Sequence, residues 1–266
     1  MSLREETFEL PGDGDAPEGL AVRLARPVGE PRGWILYLHG FRSSQDGEKA
    51  DYFRWRAIAE GLAFCSFDFR GHGASEGSLR DVTPSRNLQD IARVHAWLNV
   101  RAREPGERDA ERPVILGSSM GGAAALWFAA RNPQRVSAAL TIAPALDMKA
   151  RLEAWAGEGG LAEWRRTGFR HWVDDLGEVD LGWSLMEDLG RYPMAELVER
   201  LEVPALLLQG RQDASVGWRG AVELASRARP GLVDLHLFGD GDHRLLDHRE
   251  RLWSQMHGFL AARGLV

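Results

Sequence analysis

Pro113-Val-Ile-Leu-Gly-Ser-Ser-Met-Gly-Gly-Ala-Ala-Ala-Leu-Trp-Phe128 decides how this chain is read. Val114, Ile115 and Leu116 make a short apolar run with the character of a buried strand. The run breaks at Gly117, and a helix of small residues is expected from Met120 to Ala130. Ser119 stands at the break, in the register Gly117-x-Ser119-x-Gly121. A sharp strand-to-helix turn of this kind lifts a serine hydroxyl out of a sheet. Glycines flank it because closely packed neighbouring chains leave no room for a Cβ. The helix aims its free N–H groups and positive dipole end at the same point.

The pattern alone is weak. With 14 Ser and 30 Gly in 266 residues, about 0.2 matches arise by chance. A second match, Gly73-Ala-Ser75-Glu-Gly77, lies in a polar, Gly-rich loop with no apolar helix after it, so Ser75 reads as a loop residue. Context must decide for Ser119.

Working outward, the length fits one α/β domain with an insertion, and 44% apolar residues supply a large core. The net charge of −6, with both signs interspersed, suggests neither nucleic acid nor an acidic membrane surface as partner. The N-terminal residues lack a basic segment followed by an apolar run, and no stretch has the apolar length of a membrane span. Cys65 is the only cysteine and reads as a small apolar filler of a buried strand. A cytoplasmic protein is the expectation.

Apolar runs of strand length recur at 33–38, 63–69, 136–142, 203–209 and 232–238, with shorter extended segments at 5–10 and 20–26. Helical patterns fall between them, at about 48–61, 88–102, 216–229 and 247–263. Leu88, Ile91, Val94, His95 and Leu98 recur at helical spacing. The charged segment 103–112 is expected to return the chain over the surface. Alternating strands and helices give an α/β fold: a mostly parallel sheet flanked by helices with right-handed crossovers. Residues 145–202 break the rhythm with charges and widely spaced tryptophans, and read as an inserted helical cap. The core is then 1–144 with 203–266.

A serine hydroxyl needs a base and an orienting carboxylate to become a nucleophile. Loops at the carboxyl ends of later strands are where such partners belong. Asp213 follows one apolar strand in Gln209-Gly-Arg-Gln-Asp-Ala, and His243 follows the next in Gly239-Asp-Gly-Asp-His. The order Ser, Asp, His, each just beyond a strand, is that of a serine hydrolase triad. Asp240 and Asp242 are nearer His243 in sequence and read as loop-capping rivals. His39 and His72 sit in Gly-rich turns and read as structural hydrogen-bonders; no spacing among the other histidines resembles a metal site.

His39-Gly-Phe-Arg, Asp68-Phe-Arg-Gly-His-Gly-Ala-Ser75, Gly117-Ser-Ser-Met-Gly-Gly122, Gly210-Arg-Gln-Asp213 and Gly241-Asp-His243 together resemble the serine α/β-hydrolases. The resemblance spans nearly the whole chain outside 145–202. Within the superfamily the chain is most similar to small esterases and acyl-thioesterases, the palmitoyl-protein thioesterase and acyl-glucuronide deacylase group and the cinnamoyl or feruloyl esterases. The resemblance implies Ser119 as nucleophile, His243 as base and acid, and Asp213 as orienting carboxylate. It places the oxyanion on the backbone N–H groups of Phe41 and Met120. Trp155, Trp164, Trp172, Trp183 and Trp218 are the candidate substrate contacts. The expected substrate is a small acyl ester or thioester, with no cofactor, no metal and an oligomeric state left open. Acyl transfer, C–C hydrolysis, peptidase action and a catalytically silent binding protein are the rival readings.

Overall fold

The computed structural model describes residues 3–101, 110–174 and 177–266. The expected return segment at 103–109 lies outside the described residues. Eight strands form one sheet: β1 (Leu3–Leu10), β2 (Leu20–Pro27), β3 (Trp34–Leu38), β4 (Ala63–Phe67), β5 (Val114–Ser118), β6 (Ala138–Ile142), and two later strands. The later two are Ala205–Gly210 and Val233–Phe238. Between β6 and them lies a separate two-stranded ribbon, β7 (Phe169–Asp174) and β8 (Gly177–Gly182), so the later strands are β9 and β10. The sheet order is β1-β2-β4-β3-β5-β6-β9-β10, antiparallel where β1 meets β2 and β2 meets β4, and parallel elsewhere.

Why these runs are strands follows from what covers them. Every residue of β3, β4, β5, β6 and β9 is buried, so their sequences read as continuous apolar runs. Edge strand β1 carries Glu5, Glu6 and Glu9 on a largely exposed ladder, which blunts an open edge. The strand pleat sorts side chains onto two faces. Leu36 and Leu38 of β3 enter the core shared with helices α2 (Pro84–Arg101) and α3 (Met120–Arg131). Ile35 and Tyr37 enter the other core, shared with α1 (Glu48–Ala59) and the C-terminal helix (Arg249–Ala261). Helices thus cover both faces of a mostly parallel sheet, as the sequence predicts.

The segment after β6 holds α4 (Met148–Thr167), the β7–β8 ribbon, α5 (Trp183–Leu189) and α6 (Met194–Arg200), then α7 (Trp218–Arg227) and the C-terminal helix, α8, complete the chain. Two features depart from an all-helical insertion ending at 202. The ribbon is one: its inward residues Val179 and Leu181 are buried, but intervening charges hide the run. The other is α6. Tyr192, Leu197 and Leu201 join the core shared with α3, whereas Leu152, Trp164, Val179, Leu181 and Met186 form a third cluster of their own. The separately packed layer therefore ends near Leu189.

Candidate active site

The elbow is built as its glycines require. A Cβ at Gly117 would lie 2.2 Å from the Gly121 carbonyl oxygen, and one at Gly121 would lie 2.3 Å from that of Leu38. Only hydrogen fits at either position. Ser119 itself takes φ 54° and ψ −115°, a left-handed conformation a non-glycine residue adopts at a cost. Its N–H donates to the Ile142 carbonyl at 2.8 Å, and its own carbonyl accepts from Ala123 and Ala145. The turn is locked on three sides. Although Ser119 precedes α3, its side chain makes no capping hydrogen bond, so the hydroxyl is spare for another partner.

That partner is His243. Its Nε2 lies 3.1 Å from Ser119 Oγ, and its Nδ1 lies 2.7 Å from Asp213 Oδ2. The Asp213 side chain is fully buried, while His243 keeps a quarter of its surface. Asp213 Oδ1 accepts from the N–H groups of Ser215 (2.9 Å) and Val216 (2.7 Å), and Oδ2 accepts from Gln209 Nε2 at 3.0 Å. Burial raises the Asp213 pKa, but the hydrogen bonds from His243, Val216 and Gln209 outweigh it and hold the carboxyl below its ordinary value. The two loops are tied together where Gln212 N–H donates to the Gly241 carbonyl at 2.9 Å.

The rivals are occupied elsewhere. Asp242 Oδ1 accepts from Leu245 N–H at 2.7 Å, and the exposed Asp240 carboxylate sits 3.4 Å from His248. Ser75 Oγ accepts from Ala21 N–H and donates to the Asp68 carbonyl.

The His39-Gly-Phe loop lies directly over Ser119: a Cβ at Gly40 would come within 3.3 Å of the serine Cβ. His39 is fully buried, accepts from Phe69 N–H at Nε2 and donates from Nδ1 to its neighbour's carbonyl, so it is neutral. Burial, with His72 nearby, lowers its pKa to about 3; burial lowers that of His72 to about 4. Neither imidazole is available as a second base at neutral pH. The Phe41 ring meets His72 edge-on and packs against the third cluster, joining this loop to the segment above it. Met120 opens α3, where N–H groups have no partner within the helix.

The tryptophans divide. Trp164 is completely buried, donates Nε1–H to the Leu181 carbonyl at 2.8 Å, and touches both Trp155 and Trp183. It has no surface for a ligand, so the expected substrate contact at Trp164 is corrected to a packing hub. Trp155 meets Trp172 with ring centroids 4.5 Å apart and planes tilted by 46°, and is 40% exposed, with the Arg170 guanidinium over its ring. Trp172 and Trp183 are half-buried, and Trp218 carries Arg219 over its ring. Two polar residues escaped the sequence reading. Gln209 ends an otherwise apolar strand run, which is the available signal that it serves a neighbour. Lys49, which donates to Ser118 Oγ at 2.9 Å, gave none. Among the described residues, no group of three or more His, Cys, Asp or Glu could hold a metal, and no helix is long and apolar enough to cross a membrane.

Comparison with known proteins agrees with this fold. A palmitoyl-protein thioesterase, ABHD10, of rat mitochondria is 25% identical over 86% of this chain and 74% of its own. A putative hydrolase from Agrobacterium vitis superposes with a TM-score of 0.81 at 28% identity, covering 97% of this chain and 99% of its own. Est1E from Butyrivibrio proteoclasticus, solved with ferulic acid, gives 0.77 at 18% identity over 96% and 99%, a likeness of fold. Residues 29–173, over half of the chain, match the family described as Serine aminopeptidase, S33. By that match the chain belongs to this family of α/β hydrolases.

Proposed function

We propose that the protein hydrolyses carboxylic esters or thioesters through an acyl-enzyme on Ser119. The observation that carries the reading is the hydrogen-bonded chain from Asp213 through His243 to Ser119. His243 Nε2 takes the hydroxyl proton as Oγ attacks the acyl carbonyl, and Asp213 steadies the imidazolium through Nδ1–H. The carbonyl oxygen becomes an oxyanion that the N–H groups of Phe41 and Met120 receive. Collapse expels an alcohol, protonated by His243 as it leaves, or a thiolate, which departs with little such help and then takes the same proton from the imidazolium. His243 is neutral again in either case. Water, deprotonated by His243, then releases the acid and restores Ser119.

In this reading the layer from α4 to α5, shorter than the expected 145–202, acts as a cap over the site, with Trp155, Trp172 and Trp183 walling an acyl slot. Each buried methylene contributes about 0.8 kcal/mol, so two extra methylenes raise kcat/KM roughly tenfold until the slot ends. The thioesterase relative supports a thioester substrate. The family description favours a second reading, release of an amino-terminal residue from a peptide. One set of assays separates them: fluorophosphonate labelling of wild type and Ser119→Ala, with p-nitrophenyl esters, acyl-CoA, S-acyl thiols and aminoacyl p-nitroanilides as substrates. Labelling lost in Ser119→Ala with ester or thioester turnover is the expected result. Turnover of the anilides alone would establish the peptidase, and absence of labelling would leave a binding protein.

A further inference from the structure

Lys49 approaches the elbow from beneath the sheet. It lies in the first turn of α1, next to the buried Ala50, and is partly buried. Its Nζ donates to Ser118 Oγ at 2.9 Å. Ser118 is the last residue of β5, buried and directly bonded to Ser119. The charges that face the amine come from each element packed around it. They are Glu48 on its own helix, Asp213 after β9, and Asp242 and Arg244 after β10. Glu48 is itself engaged by Arg244 (3.8 Å) and Arg249 (3.5 Å). A lysine on a surface helix normally leaves its ammonium in water. Here the stem is turned inward, under the strand end that presents the proposed nucleophile.

We propose that Lys49 is a positioning residue of the hydrolysis: its ammonium, held on Ser118, fixes the end of β5 and supplies positive charge beneath the reacting serine. The inference rests on the acyl-enzyme reading above. During acyl transfer the substrate carbonyl becomes an oxyanion, and a fixed cation in a partly water-excluded setting favours that state over the neutral ester. Burial and Arg244 pull the Lys49 pKa down to about 8, against the carboxylates of Asp242, Asp213 and Glu48. The charge is present below that pH and is lost as pH rises through it, so kcat falls on the alkaline side.

The test is kcat and KM for a p-nitrophenyl ester from pH 6 to 10 in wild type, Lys49→Met, Lys49→Arg and Ser118→Ala. Wild type is expected to lose about five- to tenfold in kcat across a midpoint near 8. Lys49→Met is expected to lose a similar factor at pH 7, with KM little changed, and to show no alkaline limb. Lys49→Arg keeps most of the rate and shows no limb below pH 10, because guanidinium stays charged. Ser118→Ala, which removes the amine's hydrogen-bond partner, is expected to lose about threefold at pH 7 and to weaken the limb. An unchanged rate and limb in that variant overturns the hold through Ser118. A Lys49→Met enzyme with undiminished kcat, or with the wild-type limb, overturns the proposal. If that variant does not fold, a limb persisting near pH 8 in Lys49→Arg overturns it. Wild type that neither labels with fluorophosphonate nor cleaves the ester sinks the hydrolase reading instead.

Discussion

The strand end that carries Ser119 and the layer from α4 to α5 are held in place by different means. At the elbow the backbone itself is the packing material: Gly117 and Gly121 meet neighbouring carbonyls, and Ser119 is bonded to β6 and α3. The layer is held by side chains. Trp164 is its hub, and a few polar ties fasten it to the core. Asp188 accepts from the Ser85 N–H and hydroxyl at the start of α2, and Arg151 donates to the Ala214 carbonyl. Backbone contacts tolerate almost no substitution; side-chain contacts tolerate resizing. The proposed chemistry sits on the first kind of construction and the proposed selectivity on the second.

The largest effects should come from breaking the first kind. Ser119→Ala is expected to lower kcat by roughly 10³-fold or more while circular dichroism and melting stay unchanged. Asp213→Asn should cost roughly 10³-fold in kcat with KM nearly constant, because the imidazole loses its orienting anion. Asp240→Asn and Asp242→Asn should stay within about threefold, since their bonds close loops. A reversal of that ranking would move the orienting carboxylate onto the histidine loop.

Acid should also act on the core. His39 and His72 are buried and neutral, with pKa values of about 3 and 4 against an ordinary 6.5. The unfolded chain therefore takes up their protons first, and the stability present above pH 6.5 is lost as pH falls below it. Between pH 6.5 and 4.5 the loss should reach roughly 3–5 kcal/mol, read from urea midpoints.

The second kind of construction should yield to a smaller push. Trp164→Ala removes the hub and should destabilise by about 3–5 kcal/mol, with hydrogen exchange rising first in α4, β8 and α5. Trp155→Ala, at a 40% exposed position, should cost about 1 kcal/mol or less. If it also flattens the dependence of kcat/KM on acyl length, the slot lies beneath the layer. Even loss across all chain lengths would place the acyl pocket in the core.

The same contrast explains what could be read from the sequence. Strands buried on both faces announce themselves as apolar runs, so β3, β4, β5, β6 and β9 were legible, as were the loops that carry Asp213 and His243. The ribbon was not: Phe-Arg-His-Trp-Val-Asp and Gly-Glu-Val-Asp-Leu-Gly are amphipathic strands interrupted by charges. Nor was the membership of α6 in the core, because a seven-residue helix with one buried leucine has too few turns for a pattern. Lys49 was invisible for a related reason. A lysine in the first turn of a charged helix looks like solvated surface, and only the fold turns it inward.

The amine under Ser118 also carries a thermodynamic debt. Its pKa is about 8 in the folded chain against an ordinary 10.5, so between those pH values the unfolded chain binds the extra proton and stability rises with pH. Below about pH 8 the full penalty applies, up to roughly 3 kcal/mol. Lys49→Met should therefore melt higher than wild type at pH 7, with an advantage that shrinks toward pH 10. A screen of random variants for heat resistance alone at neutral pH should thus recover replacements of Lys49, and those survivors should be the slow enzymes.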